Sequence, residues 1–167
     1  RNKKFKASLS YFQQMELLLR EKKRKHDNTF KLKYHLLLAL NYNYSNQQNE
    51  AINLLEPLIS IKHDDTESLL DIYLSLIVFY FQKRAFKKAN LLFSKFYHSD
   101  NWYTEKAGKE WIIKKNLIEI LLHIELENID LVESRLLSFK RTYFKYLKDI
   151  KQERVITYLS LVEAYYK

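Results

Sequence analysis

The sequence predicts an all-α protein built of packed helical hairpins, on three observations. Glycine and proline occur once each in 167 residues, whereas the tight turns of a sheet protein draw on Gly, Asn-Gly or Asp-Gly. No Asn-Gly, Asp-Gly or Gly-Gly pair is present. Apolar residues recur at steps of three and four along nearly the whole chain, which is the period of a helix face. With 47% hydrophobic and 29% charged residues, the chain has the composition of one that buries a core, not one that stays disordered.

The first stripe is Phe5, Leu9, Phe12, Met15 and Leu19, on a helix over 3–25. It ends in the basic run Arg20 to Lys25, where cations suit the negative end of the helix dipole. His26-Asp27-Asn28-Thr29 reads as a break with capping residues. A second helix covers 29–45, with Leu32, Leu36, Ala39 and Asn43 on one line. A third covers 47–62, with Ala51, Leu54, Leu55, Leu58 and Ile61 inward. Pro57 sits inside it and predicts a kink in its last turn.

Asp64 and Glu67, at capping-box spacing, open a fourth helix over 66–83. Its apolar residues from Leu69 to Phe81 cover nearly the whole circumference, which predicts burial on most sides. A fifth helix over 84–98 carries Phe86, Ala89, Leu92, Phe93 and Phe96. After a connection from His98 to Tyr103, a sixth runs over 104–127 and carries Trp111, Ile112, Leu117 and Leu121. Asn128-Ile129-Asp130 breaks it, and Asp130 with Glu133 again has capping-box spacing. A seventh helix over 131–148 carries Val132, Leu136, Phe139, Tyr143 and Leu147. An eighth over 150–166 carries Val155, Tyr158, Leu159, Val162 and Tyr166. Little but charged residues separates these two, so two helices and one bent helix both stand.

The helices come in pairs with a period. Ala39, Tyr42, Ala51 and Leu55 align with Ile77, Tyr80, Ala89 and Phe93 at a constant offset of 38. Leu121, Ile124, Glu133 and Leu137 follow at an offset of 44. The pattern resembles the tetratricopeptide repeat (TPR). That family has a small residue late in the first helix, Tyr three residues on, Ala nine after that, and an aromatic or Leu four further. Ile77 and Glu133 depart from the pattern, and the units exceed the family's repeat of about 34 residues. The resemblance implies a TPR-like α-α superhelix of three to four hairpins and seven to eight helices. Its hairpins would span 29–62, 66–98 and 104–148 of a single domain over 1–167, flanked by helices 3–25 and 150–166. Another α-α solenoid and an irregular bundle are the alternatives. Ser8, Tyr11, Phe12 and Met15 read as the end of a truncated repeat. With Arg1 in place of a start Met, this suggests a piece of a longer protein.

In the family the ligand lies along the first helix of each hairpin. The corresponding positions are Leu36, Leu40, Asn43 and Tyr44, with Lys33 beside them. In the second hairpin they are Leu74, Val78 and Phe81, with Asp71 and Gln82. In the third they are Ile118 and Leu122, with Lys115, Glu125 and Leu126. Members that clamp a peptide carboxylate carry Lys and Asn at the inner positions, where Leu and its like stand here. The expectation is an apolar groove, covered by one of the flanking helices or by an amphipathic partner or second copy.

Nothing in the sequence names a reaction. Absence of cysteine excludes a disulfide scaffold and a thiolate nucleophile. Gly108 is the single glycine, which excludes the glycine-rich phosphate loops. His26, His35, His63, His98 and His123 include no pair at helical metal-site spacing, and His63-Asp64-Asp65 reads as a helix break with capping acids. No catalytic residue, cofactor or metal is expected.

The formal charge of +9 permits an acidic partner, nucleic acid or an anionic membrane surface, although AT-rich coding also enriches Lys. Basic residues cluster at Arg20 to Lys25, at Lys83, Arg84, Lys87 and Lys88, and in a patch of Lys140, Arg141, Lys145 and Lys148. The last is interleaved with Tyr143, Phe144 and Tyr146, as nucleic-acid binding requires. These aromatics, however, fall on the stripe expected to be buried. No apolar run reaches the length of a membrane span. The reading is a non-catalytic interaction or scaffold module, cytoplasmic, with export left open by the missing Met. Its partner is a protein, a peptide or a second copy. The alternatives are a nucleic-acid-associated helical protein and a sensory or regulatory segment of a longer protein.

Overall fold

The computed structural model describes residues 4–21 and 27–166. Lys22 to Lys25 of the first basic run, and His26, lie outside the described residues. Among those described there are nine α-helices and one 3-10 helix, with no strand. They fall into two compact units, Arg1–Lys95 and Phe96–Lys167. No helix among the described residues is long and apolar enough to cross a membrane.

The first unit holds α1 (Phe5–Glu21), α2 (Asp27–Tyr44), α3 (Gln48–Leu55), α4 (Thr66–Gln82) and α5 (Phe86–Phe93). Pro57 converts the end of the predicted third helix into a 3-10 helix, Glu56–Ser60, because its ring blocks the α-helical hydrogen bond there. Ile61, expected inward, follows in extended backbone and is exposed. α2 packs on α3 and on α4, α3 packs on α4, and α4 packs on α5. The two hairpins therefore stack. α4 is the core helix, with Ile72, Leu76, Ile77 and Phe79 enclosed. Its cap is Asp65, one residue after the predicted Asp64. The Asp65 carboxylate accepts the Ser68 N–H at 3.1 Å.

The second unit holds α6 (Asp100–Ala107), α7 (Lys109–Glu125), α8 (Ile129–Asp149) and α9 (Glu153–Tyr166). The single helix predicted over 104–127 is thus two, which raises the count from the expected seven to eight to nine. Gly108 separates them at φ 87°, ψ 165°, a conformation open essentially to glycine alone. Ser99 starts α6 by accepting the Trp102 N–H at 3.3 Å. The predicted 150–166 helix is separate from its predecessor, not one bent rod. α8 begins after Asn128, not at an Asp130 capping box, and Asn128 makes no side-chain cap bond.

One turn recurs four times. Asn46, Arg84, Glu127 and Lys151 each adopt a left-handed conformation, with φ of 61°, 56°, 58° and 55°. The next N–H in each case reaches back to the carbonyl five residues earlier. Gln47 donates to Tyr42 at 2.8 Å, Ala85 to Tyr80 at 2.9 Å, Asn128 to His123 at 3.0 Å and Gln152 to Leu147 at 2.9 Å. This is a Schellman cap, and it satisfies carbonyls that the helix end would leave bare.

These turns fix the register of the repeats. Five residues after the left-handed position stand Ala51, Ala89 and Val132, and seven before it stand Ala39, Ile77 and Ile120. All six are fully enclosed, as residues at a helix crossing are. The third hairpin is therefore offset by 43 from the second, not 44. Glu133, aligned with the alanines by sequence, is exposed, and Val132 takes the enclosed place.

Two outcomes test this packing. Ala89→Leu adds volume where two backbones meet and is expected to lower stability by about 1–3 kcal/mol. Arg84→Gly relieves a left-handed residue bearing a Cβ and is expected to raise stability by about 0.5–1 kcal/mol after the entropy of glycine is subtracted. Urea midpoints of both variants check the signs, and an unchanged Ala89→Leu midpoint would remove the crossing from that position.

Candidate functional site

The positions implied by the repeat resemblance are largely closed to solvent. In the first unit Leu36, Asn43 and Leu74 are buried, and Leu40, Val78 and Phe81 are half-buried. Tyr44 is exposed, as are the flanking Lys33 and Gln82, and the Tyr44 ring stacks on Phe5 of α1 at 5.5 Å. In the second unit Leu122 is buried and Ile118 half-buried. In the register set by the turns, the equivalents of Leu36 and Leu40 in the third hairpin are Leu117 and Leu121. Ile118 and Leu122 lie one step beyond.

The basic patch lies along α8 and divides. Lys140 pairs with Glu163 of α9 at 2.6 Å. Lys140 and Lys148 both lie over the Phe144 ring, 5.8 and 4.5 Å from its centre. Arg141 and Lys145 are exposed and form one outer line with Lys148. Lys109 lies 4.0 Å over the Tyr146 ring, and Tyr143 is buried. The aromatic rings between the cations are thus covered by the chain's own lysines or enclosed, so none stands out as a platform on which a base stacks.

The densest polar arrangement was not foreseen. Asp100 of α6, Lys115, Asn116 and Glu119 of α7, and Arg135 and Tyr143 of α8 line a cavity of about 170 Å³. Lys115 and Glu119 are only 8% and 7% exposed. The Lys115 ammonium lies 3.5 Å from Asp100 and 3.6 Å from Glu119. The Arg135 Nε meets the other Glu119 oxygen at 2.9 Å. Asp100 Oδ2 accepts from Asn116 at 2.9 Å and from the Tyr143 hydroxyl at 3.2 Å. Two acids are balanced by two cations, and every carboxylate oxygen has a partner, which is the condition for burying charge without a large penalty. Burial, and then the charge of Asp100, push the Tyr143 hydroxyl up to about 12. At neutral pH it is a hydrogen-bond donor, not a base. Burial likewise lowers His123 below the ordinary imidazole value.

A second feature of the same unit is open and apolar. Leu121, Ile124 and Glu125 of α7 and Glu127 of the turn after it face Tyr158, Leu161, Val162, Tyr165 and Tyr166 of α9 across a groove of about 580 Å³. Leu161 is 65% and Tyr165 81% exposed. The Tyr158 hydroxyl is enclosed and has no hydrogen-bond partner among the described residues. Burial, with Tyr166 adding to it, raises this hydroxyl to about 12. The α9 stripe read from the sequence captured Tyr158, Leu159, Val162 and Tyr166. It missed the neighbouring line Tyr158, Leu161, Tyr165, whose steps of three and four make both flanks of a short helix apolar. Among the described residues, no three His, Asp or Glu side chains converge as metal ligands do.

The raised tyrosines set an alkaline signature. Their folded values of about 12 exceed the unfolded value of about 10. Between those limits the unfolded chain releases protons that the folded chain keeps. Stability is therefore full below pH ~10 and falls as pH rises toward about 12, by up to ~2–3 kcal/mol for the enclosed Tyr143. Urea midpoints from pH 9 to 12, followed with tyrosinate absorbance, should show this fall, and Tyr143→Phe should flatten part of it. An unaltered slope in that variant would detach Tyr143 from the buried network. No protein-family model, curated protein or solved structure matches the chain.

Proposed function

We propose that the chain is a non-catalytic protein-protein interaction or scaffold module, built as a tetratricopeptide-like array. The array reading is supported by one hairpin geometry used three times, with left-handed turn residues at Asn46, Arg84 and Glu127. In each, a small or β-branched residue is enclosed five positions later, as close helix packing requires. The stacking of α2 on α4 within the first unit supports it as well.

The interaction reading rests on the groove between α7 and α9. Most groove positions named from the family resemblance are covered, and an open apolar groove lies beside the last helix instead. A helix that closes a stacked array carries a polar outer face. α9 presents Leu161 and Tyr165 to water, and surfaces of that kind mark places where a protein segment binds. A partner helix laid between α7 and α9 would cover both.

A photo-reactive residue at position 165, in the chain produced in its own host, should form a discrete protein adduct. The same residue at Leu91, also largely exposed but on the first unit, should form none. Absence of any adduct at 165 would overturn the interaction reading for this groove.

A further inference from the structure

We propose that the occupant of the α7–α9 groove is a second copy of this chain, docked antiparallel through α9. This rests on the interaction reading above and deepens it. Arg154, Tyr158, Leu161 and Tyr165 follow one another at steps of four, three and four. They make one line about 16 Å long on a helix rising about 1.5 Å per residue. Arg154 stands at one end of that line and is exposed, with Lys151 exposed in the turn before it; Glu153 and Asp149 nearby are off the line. The other end is acidic, because Glu125 at the end of α7 and Glu127 in the turn after it line the groove beside Tyr165 and Tyr166. None of Lys151, Arg154, Glu125 and Glu127 has an ion-pair partner among the described residues.

A patch with an apolar centre and opposite charges at its two ends is complementary to itself after a half-turn. A two-fold axis near Leu161 lays Leu161 and Tyr165 of each copy into the groove of the other. It also brings Arg154 of each copy to the Glu125 and Glu127 end of its mate. Both requirements of an isologous interface are then met by one surface, since the same residues form knob and hole. The charge arrangement matters because the chain as a whole carries +9 and its copies repel one another. Pairing is favoured where local acids offset the excess.

The test needs no assumed ligand: the full chain alone, followed by light scattering and sedimentation over a concentration series, with circular dichroism to confirm folding. A monomer–dimer equilibrium is expected, weakening as salt rises. Leu161→Glu should weaken it by roughly tenfold or more. Arg154→Glu alone should weaken it, and so should Glu125→Lys with Glu127→Lys. Combining the three reversals should restore dimerisation, which a merely destabilising change would not do. A folded chain that stays monomeric, a dimer indifferent to Leu161→Glu, or a triple reversal that restores nothing would each overturn the proposal. If the monomer still gives an adduct with a different protein at position 165, the interaction reading stands and the second copy falls. If there is neither dimer nor adduct, both fall.

Discussion

The hairpins depend on how four helix ends reverse direction without glycine. At Asn46, Arg84, Glu127 and Lys151 the chain accepts a left-handed residue that carries a Cβ. The gain is two hydrogen bonds that close the end of one helix and start the next within a few residues. A short rigid turn fixes the phase of both helices, so the residues that meet at the crossing are set by counting from it. Ala51, Ala89 and Val132 occupy that place in three successive hairpins. The turn thereby determines where a small side chain is needed and where a large one is free to reach a neighbouring helix.

The second unit divides its labour along its length. At the middle of α7, the charges of Asp100, Lys115, Glu119 and Arg135 lock α6, α7 and α8 together, with Lys115 and Glu119 nearly enclosed. Removing one member would strand another, so this region is held by mutual dependence and has little freedom to change partners. Near the end of α7 the contacts to α9 are apolar and incomplete, leaving a trough. A fully paired polar brace and an unfilled apolar seam thus lie next to one another on the same helix.

The helices were legible because their apolar stripes are long and regular, and scarcity of glycine and proline removed the competing folds. The errors share a cause: local backbone events that leave the stripe undisturbed. Gly108 breaks a helix whose periodicity continues on both sides of it. Glu127 carries the left-handed turn that glycine or asparagine ordinarily signals, so the third repeat was placed one residue late. Asp65 instead of Asp64 caps α4 because capping depends on which residue leaves the helical conformation, and adjacent acids do not reveal that. The polar cluster was hidden because Asp100, Lys115 and Arg135 come from three helices, and no sequence spacing joins them. The groove was hidden because two apolar lines on α9 look like one broad stripe until the fold shows which of them is covered.

The glycine-free reversals also bear on how the chain reaches its folded state. Within each unit most of the packing is between helices adjacent in sequence, as α2 on α3, α4 on α5, α7 on α8 and α8 on α9. The loops to be closed are therefore short, and the entropy lost in closing them is small. Such low contact order places folding among the fast helical cases and not the slow sheet-like ones. A left-handed residue with a side chain is also rarer in the unfolded ensemble than a left-handed glycine, so forming each corner competes with helix extension through it. The four corners differ in how readily their residues enter that conformation, asparagine being the most tolerant of the four.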